Sequence, residues 1–464
     1  MAFIDSIIQN LPEVAGPTQK RLSFKEKLKW TGIILVIFFI LGHIPLFGLG
    51  ANALSQFEYL SVILGASFGS ITSLGIGPIV TASIVLQLLN GSGIFKFDLT
   101  SHEGKRRFQG FQKILAVFFI VFEAIIYVFM GGLAPASQFA GTPLYLQLEM
   151  LLIVQLIIGG ILILFMDEVI SKWGFGSGIS LFIAAGVSQT VFIRALSPLK
   201  SQLNPEYAAG AIPSLFQSLA AGDPITAGLQ FAAVASTIVV FVIAVYSQAM
   251  RIEIPLSFGR VRGHGIRWPL SFIYTSNIPV ILVAALLANI QLWARLLQGW
   301  LGHGTFLGEF VGDQAVSGLA AWANPPNIVG SIIKGSVTLD AVLQAGIYML
   351  IMVVGCVIFS IFWVQTAGMD ARSQAKQIMS SGLQIPGFRK DQRVLERLLQ
   401  RYITPLTVMG AITIGILAAL ADISGALGSG TGLLLTVMII YKLYEEISKQ
   451  HMMDMNPMMR KFME

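Results

Sequence analysis

Histidine and cysteine, the residues most often used in metal sites and catalysis, are few and widely spaced in this chain. The five histidines are His43, His102, His264, His303 and His451. His102-Glu103 begins like the zinc motif H-E-x-x-H, but the fifth residue is Arg106, so no pair of histidines shares a helix face. Cys356 is the single cysteine, which excludes an internal disulfide and a cysteine-based metal site. The sequence therefore predicts no metal site and no cofactor.

Motifs of enzymes are equally missing. No G-x-x-x-x-G-K-[ST] loop occurs, and Gly174–Gly178 (GFGSG) lacks the glycine spacing of a dinucleotide-binding fingerprint. An intramembrane serine hydrolase would need a histidine at the depth of its serine, and no apolar segment after the first contains one. We therefore predict that the protein is not an enzyme.

Carboxylates within apolar segments are the remaining groups that could do chemistry. Glu123 lies inside one such segment, Glu149 near the start of the next, and Asp167 and Glu168 near its end. A buried ionisable group is a candidate functional site, so ion-coupled secondary transport is one hypothesis. The alternative is an interior lined by uncharged polar side chains, for which the candidates are Thr81, Gln87, Ser276, Asn277 and Asn289.

Composition determines the kind of molecule that holds these residues. The chain has 464 residues, of which 55% are hydrophobic and 12% charged. Soluble domains carry about 25% charged residues. This chain has too few polar side chains to cover a water-exposed surface, which argues against a soluble enzyme, a disordered chain or a nucleic-acid-binding domain.

Ten apolar segments approach the roughly 20 residues that a transmembrane helix needs. The predicted spans are 30–47, 76–92, 111–131, 144–165, 176–193, 229–248, 271–293, 340–362, 404–421 and 427–444. Ser23 and Glu26 form a capping box ahead of the first span. We expect that span to be retained, because it is longer than the apolar part of a cleaved signal peptide.

Lysine and arginine predict the orientation. With the N-terminus inside and ten spans, 26 of the 30 lysines and arginines fall on the cytoplasmic side, where positive charge is enriched in membrane proteins. The other four are Arg194, Lys200, Arg295 and Lys334. Both termini are therefore predicted to be cytoplasmic.

Two halves of five spans are predicted, and they would be inverted relative to each other. We divide the chain into an N-terminal half (1–195), an external connection (196–225), a C-terminal half (226–445) and a cytoplasmic tail (446–464). Each half has a proline in its second span, Pro78 or Pro279, and a glycine cluster at the start of its fifth, near Gly176 or Gly428. Inverted repeats are common in proteins that pass a substrate through the bilayer midplane, although glycine and proline are also simply frequent in membrane helices.

Two kinds of connection between spans carry further information. The apolar stretch 56–70 is about half the length of a span, which indicates either an external loop or a movable stopper in a cavity. Loops 249–270 and 363–403 together carry eleven lysines and arginines. Two long basic loops suit a large anionic partner such as a ribosome, bound through its RNA.

Five long stretches resemble the SecY family, the channel-forming subunit of the Sec protein translocon, in its archaeal and eukaryotic branch. They are 74–89 (LGIGPIVTASIVLQLL), 176–186 (GSGISLFIAAG), 276–291 (SNIPVILVAALLANIQ), 401–410 (RYITPLTVMG) and 428–441. The resemblance extends over nearly the whole chain. It implies an all-α integral membrane protein with ten transmembrane helices in two inverted pseudo-symmetric halves.

The resemblance also implies particular functional residues. An apolar pore ring would consist of Ile76, Val80, Ile179, Ile183, Ile281 and Leu435. A plug at about 57–67 would include Phe57, Leu60, Val62, Ile63, Leu64 and Ser67. A lateral gate would carry the polar residues Thr81, Glu123 and Asn289, and the basic loops would bind the ribosome through Arg260, Arg262, Arg389 and Lys390.

By the same resemblance, the protein would pass secretory polypeptides across the cell (plasma) membrane and release transmembrane segments sideways into the lipid bilayer. Its implied partners are the small membrane subunits SecE and Secβ, the ribosome and nascent signal sequences. Ion-coupled secondary transport remains the alternative, and a structural scaffold for other membrane subunits is a third possibility.

Overall fold

The computed structural model of the chain describes residues 10–19, 22–52, 65–91, 94–95, 97, 102–200, 206–258, 265–311, 314–380, 383–384 and 391–455. Long helices dominate it. In the first half they are α1 (Phe24–Gly42), α2 (Gly77–Gly91), α3 (His102–Phe129), α4 (Pro143–Trp173) and α5 (Gly178–Leu196). In the second half they are α7 (Pro224–Ala249), α8 (Ile278–Leu301), α11 (Leu339–Thr366), α13 (Gln392–Ile423) and α14 (Gly430–Met455). Each predicted span overlaps one of these ten helices.

Shorter elements connect the long helices. The short helices are α6 (Ala211–Ala221), α9 (Gly318–Trp322), α10 (Ile328–Ile333) and α12 (Ala371–Ser380). The strands are β1 (Leu49–Asn52), β2 (Leu133–Pro135), β3 (Arg251–Phe258), β4 (Gly265–Ser271), β5 (Glu309–Val311), β6 (Gln314–Ser317) and β7 (Leu383–Gln384). None of the strands was predicted from the sequence.

Seven helices in the described part of the chain are long and apolar enough to cross a membrane. The three predicted spans outside this set lie on α1, α2 and α14. Helix α2 has only 15 residues, and α1 and α14 carry charged residues at one end. Helix α2 is therefore too short, and α1 and α14 are too charged over the length of a span, to count among the seven, although each of the three packs against other long helices.

Several predicted span boundaries are wrong. The span predicted at 271–293 begins at Ile278 and continues to Leu301, because Ser271 ends strand β4 and Ser276 takes a positive φ of 57°. The span predicted at 30–47 is the helix Phe24–Gly42, which starts at the capping box. Helices α4, α13 and α14 extend past their predicted spans because their polar ends remain helical.

The ten helices pack as two groups of five. Within the first group α3 packs on α2 and α4, and α4 packs on α1 and α5. Within the second group α11 packs on α8 and α13, and α14 packs on α7 and α13. The groups meet along α5 with α14, and along α2 with α8 and α11. One described hydrophobic core therefore runs through both halves. The halves meet along two seams, one between α5 and α14 and the other between α2 and the pair α8 and α11.

The fifth helix of each half begins in the same way. Asp167 near the end of α4 accepts a hydrogen bond from the backbone N–H of Ile179 (3.0 Å), and Asp422 near the end of α13 accepts one from Thr431 N–H (2.7 Å). A Cβ atom at Gly178 would lie 2.6 Å from the Asp167 Cα, and one at Gly430 would lie 2.0 Å from the Ala421 carbonyl carbon. The predicted glycine clusters thus allow a carboxylate of the preceding helix to cap the next one.

Candidate functional site

The six residues assigned to the apolar ring lie in one region of the core. Ile76, Val80, Ile183, Ile281 and Leu435 are buried in the main hydrophobic cluster, and the partly buried Ile179 packs against it. Ile76 and Val80 share a face of the chain, because the Val80 N–H donates to the Ile76 carbonyl (3.0 Å) at the start of α2. The core thus includes residues of α2, α5, α8 and α14 that the resemblance assigns to the ring.

A large cavity opens on one side of this ring. Its volume is about 720 Å³, and Val80, Ile179 and Ile281 form part of its wall. Charged side chains of Lys105 and Lys442 also line it. The cavity therefore has both charged and apolar walls, and its apolar wall includes ring residues.

A second cavity lies further along α5. It measures about 310 Å³ and is lined by His43, Ser67, Thr72 and Thr190, among others. The positions of the two cavities follow from α5. Ile179 lines the large cavity and Thr190 lines the small one, and Ile183, which lies between these two residues on the helix, is buried. The two cavities therefore lie against different stretches of α5, and the buried Ile183 lies between those stretches.

The last residues of the predicted plug, which include Ser67, lie beside the small cavity and close to Ile76. A Cβ atom at Gly65 would lie 3.7 Å from Ile76 Cγ2 and 3.7 Å from Phe182 Cβ. Ser67 donates a hydrogen bond to the Gly42 carbonyl (3.0 Å), and Leu46 N–H donates to the Gly69 carbonyl (2.9 Å), so the segment is fastened to the end of α1. The other named plug residues lie outside the described residues; they are Phe57, Leu60, Val62, Ile63 and Leu64.

The three polar residues assigned to the gate form one cluster where the halves meet. Asn289 on α8 donates a hydrogen bond from Nδ2 to the Thr81 hydroxyl on α2 (2.9 Å). The Thr81 hydroxyl lies 2.8 Å from the Gly77 carbonyl and 3.5 Å from Glu123 Oε1, and its proton can be donated to either. Glu123 is 2% exposed, and its Oε2 has no partner among the described residues.

Aromatic side chains, which the sequence analysis missed, lie beside this polar cluster. The rings of Phe122 on α3 and Trp293 on α8 lie 5.7 Å apart. Phe122 precedes Glu123, and Trp293 follows Asn289 by one helical turn. Only the packing shows the pair, because the two residues are far apart in the chain.

The other carboxylates do not resemble an ion-binding site. Glu168 forms an ion pair with Lys113 and accepts a hydrogen bond from Val14 N–H (3.0 Å). Asp167 caps α5, and Glu149 is only partly buried near the start of α4. Within the described residues no group of three histidine, cysteine or acidic side chains could hold a metal ion.

The two basic loops are joined by a sheet. Strands β3 and β4 form a hairpin, and β7 pairs with β3 so that Ser257 lies opposite Gln384. The three arginines and one lysine assigned to ribosome binding lie outside the described residues; they are Arg260, Arg262, Arg389 and Lys390. Strand pairing nonetheless brings the two loops together next to these positions.

A short N-terminal segment is held against α4. Lys172 pairs with Glu13 (2.5 Å) and also donates to the Val14 carbonyl (2.5 Å), while Trp173 Nε1 donates to the Ala15 carbonyl (2.9 Å). The hydrogen bond from Lys172 and its positive charge lower the pKa of Glu13 below its usual range. The N-terminus therefore lies at the same end of the helices as the polar end of α4.

Comparisons with known proteins agree on one family. The SecY family profile matches residues 70–444, and the profile of the plug domain of Sec61p matches residues 36–69. The chain is 47% identical to a protein translocase subunit SecY of Methanothermobacter thermautotrophicus over 98% of this chain and 96% of the relative. It is 43% identical to that of Methanocaldococcus jannaschii over 98% of each chain.

Solved structures show the same likeness. One reported as the structure of a protein conducting channel superposes with a TM-score of 0.82 at 43% identity, covering 96% of this chain and 97% of the other. Another, Sec61 in the canine ribosome-channel complex from the endoplasmic reticulum, gives 0.79 at 42% identity with the same coverage.

Proposed function

The chain belongs to the SecY family, and we propose that it translocates secretory polypeptides across the membrane as the central subunit of a protein-conducting channel. It is a multi-pass membrane protein with the ten-helix SecY fold, and it is a channel subunit rather than an enzyme. Transmembrane segments leave the channel sideways into the bilayer. The observation that supports this function best is the pair of cavities along α5, with the buried Ile183 between the stretches that line them.

We propose that the six ring residues seal this path around a moving chain. Apolar constrictions exclude water and therefore block ions when no polypeptide fills them. Branched aliphatic side chains supply such a surface without presenting a hydrogen-bonding group to the passing peptide. The proposed plug, approximately 57–67, closes the small cavity at rest. Its position against the ring is supported by Gly65, where a Cβ atom would lie 3.7 Å from Ile76 Cγ2.

The proposed exit to the lipid lies along the seam between α2 and α8. Its polar residues Thr81, Glu123 and Asn289 hold the seam closed through the bond from Asn289 to Thr81. A signal sequence opens the seam because its apolar helix gains free energy in lipid, about 0.3–0.6 kcal/mol for each leucine or isoleucine. The two halves that separate are residues 1–195 and 226–445. Residues 196–225 form the external connection, and residues 446–464 form the tail, whose first part continues α14.

The proposed partners follow from the basic loops and from the family. A solved relative is a Sec61 channel in a ribosome complex, which supports binding of the ribosome here through Arg260, Arg262, Arg389 and Lys390. SecE and Secβ are the proposed small membrane subunits. The charge distribution supports a cytoplasmic position for both termini and, with the family, location in the plasma membrane.

Ion-coupled secondary transport finds no support in the comparisons, and neither does a purely structural scaffold. Glu123 is the one carboxylate inside the described helices that is neither a helix cap nor an ion-pair partner and is almost fully buried. Ion coupling usually needs several such groups near the midplane.

Photo-crosslinking tests the proposed path. A photo-reactive residue at Ile183, in ribosome-bound membranes carrying a stalled secretory chain, is expected to cross-link to that chain. The matched control is Val36, an exposed residue of α1, which should stay silent. If ribosomes bind and neither position reacts, the chain does not pass the ring and the proposed function is wrong.

A further inference from the structure

Helix α13 carries a row of cations at the level where its apolar part begins. Residues 402–421 contain no charged side chain, and Arg401 immediately precedes them. Arg397 lies one turn earlier, about 6 Å away along the axis. Arg401 is therefore at the depth of lipid headgroups when the apolar part lies in the bilayer.

The opposite face of the same turns is rigidly held. Leu395, Leu399 and Ile403 are buried in a cluster with Ile254 of the hairpin and Ile378 of α12. Because these residues lock one face of the helix, Arg397, Gln400 and Arg401 project outwards on the other, where they are exposed. The two arginines thus sit on a fixed support rather than in a loop.

These outward side chains surround a shallow cavity of about 340 Å³, lined by Arg397, Gln400, Arg401, Thr404 and Pro405. Within the described part of the chain neither arginine has an acidic partner within ion-pair distance. The hydroxyls of Thr407 and Thr413 on this helix bond to the carbonyls of Ile403 and Met409. The Thr404 hydroxyl makes no hydrogen bond with any described residue, so its donor is available to a ligand.

An apolar surface continues from this cavity toward the midplane. Pro405 lines the cavity, and Met409, one turn further along the same face, is 55% exposed. Ile412 and Ile416 extend this face and are partly exposed. Guanidinium, amide and hydroxyl donors above an apolar strip match a molecule with a phosphate head and hydrocarbon chains.

We propose that this surface is a binding site for the phosphate headgroup of an anionic phospholipid. The guanidinium groups of Arg397 and Arg401 hold the phosphate, Gln400 and Thr404 donate further hydrogen bonds, and the acyl chains lie along Met409 and Ile412. RNA, the other polyanion considered for this protein, fits less well because Arg401 lies at the start of the apolar part. The site is separate from the proposed pore and does not depend on translocation.

Native mass spectrometry of the purified full chain tests this site. Phosphatidylglycerol and phosphatidylcholine are titrated against the wild type and the variant R397Q/R401Q. Each arginine near a membrane surface contributes about fivefold in affinity for an anionic lipid, so the double variant is expected to lose roughly 25-fold of its preference for phosphatidylglycerol. R372Q/K376Q is the matched control, because Arg372 and Lys376 are an exposed pair four residues apart on the neighbouring helix α12.

The proposal is overturned if R397Q/R401Q keeps the preference, or if the control loses it equally. It is also overturned if inorganic phosphate displaces the lipid, which would indicate a site for soluble phosphate, or if the double variant loses binding of a short RNA duplex but keeps phosphatidylglycerol. If R397Q/R401Q does not fold, Thr404→Val serves instead. This variant removes the hydroxyl donor of Thr404 while keeping the shape of the side chain. We expect a severalfold loss of the preference for phosphatidylglycerol, and an unchanged preference would overturn the proposal.

Discussion

At the residue scale, the seam between the halves depends on a few polar contacts in an apolar setting. Asn289 donates to Thr81, and the neighbouring Glu123 is buried with one oxygen unpaired among the described residues. Interhelical hydrogen bonds of this kind in membranes contribute about 0.6–2 kcal/mol. The closed seam is therefore held strongly enough to stay shut, yet weakly enough for an apolar helix to open it.

Replacing Asn289 should make the seam easier to open. Asn289→Leu removes the donor to Thr81 while keeping the volume similar, so secretory chains with weakened signal sequences should enter about threefold to fivefold more efficiently. Translocation into proteoliposomes measures this. Thr413→Val is the control, because the Thr413 hydroxyl bonds only within its own helix, to Met409. Unchanged entry in Asn289→Leu would contradict the proposed gate.

Replacing Glu123 distinguishes the channel hypothesis from the transporter hypothesis. Glu123→Gln keeps the shape and the contact with Thr81 but removes the ionisable group. A channel should retain translocation with an altered threshold for signal sequences, whereas an ion-coupled transporter would lose all activity. The same translocation assay, run beside Glu149→Gln, decides between them, and complete loss confined to Glu123→Gln would favour the transporter.

At the element scale, the start of each half's last helix is set by a carboxylate from the helix before it. Asp422 accepts hydrogen bonds from Thr431 N–H and from the Tyr348 hydroxyl (2.7 Å each), and also contacts the Thr431 hydroxyl. Asp167 caps α5 in the first half. Because α5 carries Ile179 and Ile183 and α14 carries Leu435, the two caps fix the height of ring residues.

Removing the second cap should destabilise the protein. Asp422→Ala leaves the buried Tyr348 hydroxyl and the Thr431 N–H without their acceptor, at a cost of about 2–4 kcal/mol. Thermal unfolding in detergent should show a clear drop in Tm. Asp223→Ala, which removes the exposed cap of α7, should cost only about 1 kcal/mol. Equal losses in the two variants would argue against a special role for Asp422.

At the scale of the whole molecule, the two halves meet along two different seams. Helix α5 of the first half packs on α14 of the second, whereas α2 meets α8 and α11, and the bond from Asn289 to Thr81 joins α8 to α2. An opening motion that parts α2 from α8 can leave α5 and α14 together. This difference predicts where the molecule must move to release a segment into lipid.

Joining the two sides of the seam should block that release. Cysteines at Thr81 and Asn289, linked by a short bifunctional reagent, should prevent membrane insertion of a transmembrane segment. Cysteines at Ser83 and Gln112, whose side chains are 2.6 Å apart, join α2 to α3 within one half and should leave insertion intact. Cys356 is fully buried and should not react. Insertion that survives the first linkage would show that segments leave elsewhere.

Much of the architecture follows from local sequence. Apolar lengths and the distribution of lysine and arginine predicted ten helices, and the family and its ten-helix fold are confirmed. Pro78 and Pro279 each lie at the second position of a helix, where a missing backbone N–H costs nothing. The roles of the ring, gate and ribosome-binding residues stay predictions.

Other features depended on contacts that no local pattern contains. The capping role of Asp422 requires Tyr348, which is 74 residues earlier, and the bond from Asn289 to Thr81 joins residues 208 positions apart. The sheet of β3, β4 and β7 lies within the two basic loops, whose charge had predicted an anionic partner but no strands. Strand pairing in β3 and β7 links distant backbone groups, so it was not visible in either loop.

The sequence by itself determined a ten-helix membrane protein, because hydrophobic length and charge asymmetry are properties of short segments, and five matching stretches indicated the SecY family by resemblance. Only the tertiary structure decided that Thr81 reaches Asn289, and that Val80, Ile179 and Ile281 line one cavity. Any one of those aliphatic residues could equally have faced lipid. Which of them faces the path depends on how ten helices pack against each other, and that is a property of the whole chain.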